Sequence, residues 1–578
     1  MKKTIAISIV TSAMLFGANV DNLTTDQINK TLNSTVNSAK VTQGQTSITG
    51  NADVDNLTIT QKTGSSTGNL IDGVTVNGAD TDNTHIHQGS TTVADATVNN
   101  VTIDSDSSIN DGKINGAGKV SQGETAVSGS STLKDVQIES TNTINDADIK
   151  GSDARHFVVT QGTLIVTDAN TSDTDAGEVD IKSTNMIDSG VSISESTVRQ
   201  SYTKIASGAD VSELKLEQTN TIDGTSSISD NSAVGQGIVM VDEGSTGSIT
   251  NIATNNLNDV NVDNSTVVQD YKNVHGGSDV KINSRTADKH HNTISNTDIA
   301  SGSKVSQNTY NIDNGSTVSL TSKHRNYINK MDIADSTIVQ DAVDINDSTA
   351  TNLTLDSHNE LTNVTGTKKV EQSVLVINNG SDVDSLSLTT NNELKDTDLG
   401  NGSNISQSYT TLSNVSSSGG VALNNINSVT DTNLDDGSTL KQAEVTASDV
   451  TLTALTQDTR NIVDDVTINK NSVVEQAVIG ISGGNVANLD IDAKNTIDDG
   501  TKISDSMVSQ NHTNIKDSNV NGLDIDQNNE ITGGSLIASS TLTQGCVKIG
   551  TDSCFSQGSQ GGGAYNIKTD WADDEGED

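Results

Sequence analysis

Short runs of alternating apolar and polar residues, four to six long, recur along almost the whole chain. Successive strand residues point to opposite faces, so this alternation predicts strands with one buried face. The apolar members are Val, Ile and Leu, joined by Thr, which suit a pleated, half-buried surface. Asn, Asp, Gly and Ser cluster between the runs and supply turns. A 3.6-residue period is almost absent.

The runs also keep a frame. The phrase aliphatic-x-Gln ends at Gln43, Gln88, Gln122, Gln161, Gln200, Gln236, Gln269, Gln307, Gln340, Gln372, Gln407, Gln442, Gln476, Gln510 and Gln544. Gln43 to Gln544 is 501 residues in 14 steps, a mean of about 36, and the last three steps are each 34. A weaker copy lies midway: Leu523-Asp524-Ile525-Asp526-Gln527 ends 17 residues after Gln510 and 17 before Gln544. A fixed period marks a repeat array, in which each unit buries its apolar face against its neighbours. The predicted fold is all-β, an elongated β-solenoid. At the half-period it has about 28 coils of 17–18 residues, and at the full period about 14 of 34–36. At about 4.8 Å per coil, the first choice gives a rod roughly 130 Å long and the second half that.

In Val-x-Gln both side chains share a face, which places the amide inside, beside the aliphatic core. Stacked coil on coil, inward Gln, Asn, Ser and Thr are expected to bond their own equivalents above and below as ladders. Serines such as Ser265 and Ser518, two residues before a valine, predict further ladders. A buried amide left unpaired costs about 1–3 kcal/mol, so these residues read as structural rather than ligand-binding.

Composition adds limits. Hydrophobic residues are 31%, aromatics 2%, and proline is absent. That apolar share is low for a globule, but a narrow solenoid with polar ladders needs little core. The net charge of −43 disfavours nucleic acid and anionic membrane as partners. The acids spread along the chain as a solvated surface. No calcium-loop motif is present, so calcium enters only as a weakly supported bridging ion, and no other cofactor is expected. His85/His87 and His290/His291 are close pairs without a third metal ligand. Interruptions of the period near 64–68, 171–177 and 285–291 are too short to wall a substrate groove, so no enzyme activity is expected.

The ends differ from the body. Residues 1–18 read as a secretory signal: Met1-Lys2-Lys3, an apolar stretch Thr4 to Phe16, then Gly17-Ala18. The implied location is outside a bacterial cell, with no membrane-spanning segment in the mature chain. Residues 19–40 predict a cap, with Ile28, Leu32 and Val36 at helical spacing, or equally a degenerate first coil. Residues 41–548 form the array, and 549–578 a Gly-rich acidic tail suited to a surface or secretion partner. The only cysteines, Cys546 and Cys554, predict one disulfide that staples the last coil.

With its secretion signal, recurring Val508-x-Gln510 and Asn529-x-Ile531 phrases, many glycines and few aromatics, the chain resembles bacterial secreted β-strand-repeat proteins, curlin-like functional amyloids in particular. That resemblance implies a cell-surface or biofilm-matrix fibre. It covers roughly residues 35–548, and this chain's repeats are shorter and its Gln, Gly and Asn offsets different. Open strand edges at the solenoid ends template end-to-end self-association. The competing readings are a monomeric adhesin whose flat face binds glycan, ice or a cell surface, and an acidic chain ordered only by calcium.

Overall fold

The computed structural model describes residues 12–16 and 19–549, less short internal stretches of which 62–68, 78–83, 151–156, 170–178 and 287–291 are the longest. The interruptions of the period, His290/His291 and nearly all of the tail, with Cys554, lie outside the described residues. Among the described residues every strand pairing is parallel, each strand lying on its equivalent one repeat earlier and one repeat later. The chain is a parallel β-solenoid.

The longer repeat is the coil. Gln510 is in register with Gln476 and with Gln544. The column continues without a gap to Gln43. These are 14 register steps, and at about 4.8 Å each they span about 67 Å. The expectation of about 28 coils of 17–18 residues is therefore corrected. The midway phrase Leu523–Ile531 pairs with Leu489–Asp498, its own equivalent, and not with the glutamine strand. The two phrases are the two facing walls of one flattened coil.

The coil from 404 to 438 is representative. Its first wall is Asn404–Ser413 and its second Val421–Thr430, with Ser416–Ser417 and Asn433–Leu434 closing the two ends. Leu412, Val415, Val421 and Leu423 fill one end of the section, and Ile405, Val429 and Leu434 fill the other. Stacked, these make two separate apolar columns running the length of the rod. Between them stands a polar partition.

The chain turns at left-handed residues. Among the described residues forty non-glycine residues have φ between 45° and 63°, of which 15 are Asp and 13 Asn. Short polar side chains that bond the local backbone tolerate this region best. Many of the acids are thus placed by backbone geometry rather than by a ligand. Proline, fixed near φ −65° and lacking an N–H, fits neither these corners nor the ladders between them.

Of the two alternatives for residues 19–40, a cap or a degenerate first coil, the described residues follow the second, with no helix among them. Asn19–Asp26, Asn29–Leu32 and Thr35–Asn37 are strands in register with Asp53–Gln61, Asn69–Asp72 and Thr75–Asn77. The spacing of Leu32 and Val36 arises from two short strands joined across Asn33, whose φ is 46°. Asn and Thr are weak helix formers, and a ready strand edge outcompetes them. Inside the predicted signal, Ser12–Phe16 is a strand in register with Gln45–Thr49.

Candidate functional site

The partition begins with the predicted glutamines. All 14 steps carry a side-chain hydrogen bond, Nε2 of each glutamine donating to Oε1 of the one before, at 2.7–2.9 Å. Gln88 to Gln510 are buried to within 1%. Many Nε2 groups also donate across the coil to a carbonyl of the second wall, as Gln200 does to Thr221 O (3.2 Å) and Gln407 to Ser428 O (3.1 Å). That second acceptor orients the amide. Nε2 must face the carbonyl, so Oε1 faces the next coil, and the ladder acquires a direction.

A second ladder lies opposite, and its direction is reversed. Asn142 Nδ2 donates forward to Asn185 Oδ1, and the chain of bonds continues to Asn529 at 2.8–3.0 Å. Asn29 and Asn69 form an earlier section, with Ser107 holding the column between. Serines make a third column: Ser265 N donates to Ser303 Oγ and Ser506 N to Ser540 Oγ. Ser265 is in that column, as predicted, whereas Ser518 belongs to another, in register with Gly484.

The residue after each ladder glutamine turns the wall. All fifteen, from Gly44 to Gly545, have φ between 52° and 69°. Four of the first are glycine, and a Cβ on Gly123 would lie 2.9 Å from Asn142 Nδ2. Later corners carry side chains that point inward and bond the asparagine ladder. Ser408 Oγ donates to Asn427 and accepts from Asn392, at 2.8 and 2.9 Å.

At two corners the inward group is an aspartate, and a buried charge cluster assembles there. Asp270 accepts from Asn251 Nδ2 (3.2 Å), contacts Lys272 Nζ, and lies 3.0 Å from His324 Nδ1. Tyr310 OH lies 3.2 Å from His324 Nε2 and 3.1 Å from Ser322 Oγ. Asp270, Lys272, Tyr310 and His324 are each at most 1% exposed. Lys272 and Tyr310 take inward places held by Val239 and Val343 in adjoining coils. Opposite them, Asn251, Ser284 and Ser322 replace the Leu216 and Leu355 of the same column. Burial pulls His324 down to about 3, which keeps it neutral. Burial also lowers Lys272, against the pull of Asp270, and raises Asp341 to about 6. A histidine between a carboxylate and a hydroxyl has the parts for proton transfer, but it is enclosed by the core. Its evident work is pairing each buried charge.

Outside, the two concave elbows differ. At the glutamine elbow, Tyr202, Ile238, Met240, Val268 and Tyr271 pack as one patch, and Val339, Ala342, Val374 and Val376 as another. Lys119–Glu124 and Lys441–Glu444 pair at 3.0 and 2.8 Å on the same elbow. Glu371 there is raised to about 7 by burial, against Lys369 at 3.0 Å. On the second wall a shallow groove of about 500 Å³ is lined by Arg325, Asp356, His358, Ile426, Asp458 and Arg460 among others. Asp458, Asp492 and Asp526 continue its edge in one outward row. No group of three His, Cys, Asp or Glu suited to a metal is found among the described residues. His87 sits at the glutamine elbow.

The last described coil has no further coil stacked on it among the described residues. Leu523, Leu542 and Val547 are 39%, 42% and 44% exposed, although Leu489, Val508 and Thr513, their register partners in the coil before, are buried. Cys546, in register with buried His512, is disulfide-bonded, and the sequence offers it only Cys554. Among the described residues no helix is long and apolar enough to cross a membrane.

Sequence reasoning expected ladders of inward asparagine without naming the column, and it missed the charge cluster. The column was visible as Asn-x-Ile two residues past the midway phrase. The cluster was hidden by the corner, which adds one residue and reverses the alternation. Lys272, three after Gln269, therefore points inward. The signal for that reversal is the apolar or Thr pair at Gln+3 and Gln+5, as in Thr46/Ile48 and Thr91/Val93.

Architecture and ladders define the chain as a parallel β-solenoid with an amide-partitioned core. No protein-family model, curated protein or solved structure matches it.

Proposed function

We propose that the chain is a non-enzymatic extracellular rod, secreted by a bacterium, that self-associates end to end as the subunit of a surface or matrix fibre, in the manner its resemblance to curlin-like proteins implies. The observation that carries this reading is the open end: exposed Leu523, Leu542 and Val547 on strands whose backbone edge has no following coil among the described residues. Edges of that kind pair with further strands. An interior of buried polar ladders, with its charged groups enclosed and paired, supports a structural role over a catalytic one. Calcium, if it acts, bridges outward acids such as the row Asp458, Asp492 and Asp526.

The groove on the second wall favours one other reading, an adhesin. It combines two of the chain's five arginines with Ile426, 47% exposed, the side-chain mixture that grips a polar ligand with apolar faces. Electron microscopy of residues 19–578 tests the choice. Unbranched fibres support the fibre subunit. Discrete rods that persist at high concentration reject it and leave the adhesin.

A further inference from the structure

The two ends of the array are complementary steps. At the C-terminal end the last described segment is a first wall alone, Thr541–Ile549, stacked on Met507–Val520. At the N-terminal end residues 19–37 form a second wall that covers Asp53–Gln61 and the two strands after it. The matching first-wall place, over Gln45–Thr49, is held by Ser12–Phe16, inside the predicted leader. Without residues 1–18 the N-terminal end lacks the half-coil that the C-terminal end has in surplus.

The columns fit across this step. Following the register through the rod, Leu523 shares a column with Leu23. The same count places Asp526 with Asp26, Asn529 with Asn29, Glu530 with Lys30 and Gln544 with Gln43. The ladders fit in direction as well. The glutamine ladder donates toward the N-terminal end and the asparagine ladder toward the C-terminal end. A second copy placed head to tail continues both, Gln43 donating to Gln544 and Asn529 to Asn29. Placed tail to tail, like groups meet and both ladders break.

We propose that processed copies stack head to tail and share one coil. Thr541–Ile549 of one copy supplies its first wall, residues 19–37 of the next copy supply its second, and Ser12–Phe16 blocks that place until the leader is removed. This contact is heterologous and does not close, so it builds a filament. The inference rests on the fibre reading and gives it a direction, a register and a switch.

Cysteines at a column shared across the junction test it. Thr24→Cys and Asp524→Cys are made singly in residues 19–578, mixed, and oxidised mildly. In-register neighbours in parallel strands lie within disulfide reach. The expected result is a covalent dimer from the mixture, little from either variant alone, and at least tenfold less when Ser12–Phe16 is retained. Dimers of Asp524→Cys alone would overturn the polarity, and equal cross-linking of the unprocessed chain would overturn the switch. Fibres that form without the mixed cross-link would reject this junction but keep the fibre. Absence of both fibres and cross-links would reject both. As a check independent of cysteine, Glu530→Lys turns the opposite-charge meeting with Lys30 into a like-charge one. It should lower the assembly rate severalfold at low salt and little at high salt. No change at low salt would count against this register.

Discussion

Two stretches of the rod share one backbone and differ inside. From Leu386 to Ile515 the column opposite the glutamine wall is aliphatic except at Gln457, and the corners are Ser408, Ala443, Ala477 and Asn511. From Asn251 to Asp341 the opposite column holds Asn251, Ser284 and Ser322, two of the corners are Asp270 and Asp341, and Lys272, Tyr310 and His324 take inward places beside them. Register runs through both, with a local shift between Val318 and Ser319 and a run of extra residues between Thr286 and Asn292 in the charged stretch. The coil geometry is therefore set by the ladders and corners, and the filling is free to vary if each polar group finds a partner in its own or a neighbouring coil. Buried ion pairs seldom add net stability over apolar packing, but breaking one is costly.

That contrast can be broken most severely at Asp270. Asp270→Ala leaves Lys272 buried without its carboxylate and should cost about 3–5 kcal/mol, read as a lowered urea midpoint. Replacing Asp270 by Gly and Lys272 by Val together, copying Gly237 and Val239, should recover most of that loss. If Asp270→Ala is as mild as a surface substitution, the cluster is not sealed as described.

The ladder common to both stretches comes next. Gln307→Ala removes the side-chain acceptor of Gln340 Nε2 and the donor to Gln269 Oε1 and should cost about 2–4 kcal/mol. Gln442→Ala in the aliphatic stretch should cost a similar amount. A large difference between the two would mean that the filling, not the ladder, carries the fold.

The third effect depends on pH. Burial raises Glu371 to about 7 in the fold, while the unfolded chain keeps an ordinary carboxyl near 4.5. The stability it contributes is present below about pH 4.5 and is lost as pH rises through 7. Relative to Glu371→Gln, the native chain should gain on the order of 2 kcal/mol between pH 8 and pH 5. His324 works the other way. Held neutral and depressed to about 3, it favours the fold above pH 6.5, and that contribution is lost as pH falls toward 3. Parallel pH profiles for the native chain and Glu371→Gln would refute the buried carboxyl.

The smallest expected effect separates glycine from other corners. Ala443 sits at φ 56° with a Cβ that the left-handed region disfavours, so Ala443→Gly should stabilise by up to about 1 kcal/mol. Gly123→Ala should do the reverse and more strongly, because its Cβ meets Asn142.

Much of this architecture was legible in the residues. The Gln column, its inward placement and the strand class follow from spacing and alternation alone. The number of residues per coil does not, because Val508-x-Gln510 and Leu523-x-Ile525-x-Gln527 are near-copies that fold as facing walls rather than as successive coils. Only the pairing partner distinguishes those cases. The inward Lys272 and Tyr310 stayed hidden behind the corner at Gln+1, whose left-handed turn shifts the alternation. The helical spacing of Leu32 and Val36 left a cap and a degenerate coil equally open, because a pattern that short does not say whether a strand edge lies beside it.

The claim that one coil takes about 35 residues is open to a direct distance measurement. Lys182 and Asp458 are exposed and share an outward column, eight register steps apart. Spin labels at cysteines in these two places, in chains diluted with unlabelled protein, report their separation by pulsed dipolar spectroscopy. Eight steps of about 4.8 Å predict about 38 Å. A distance near 75 Å would mean twice as many coils and would contradict the paired-wall coil with its two opposed ladders.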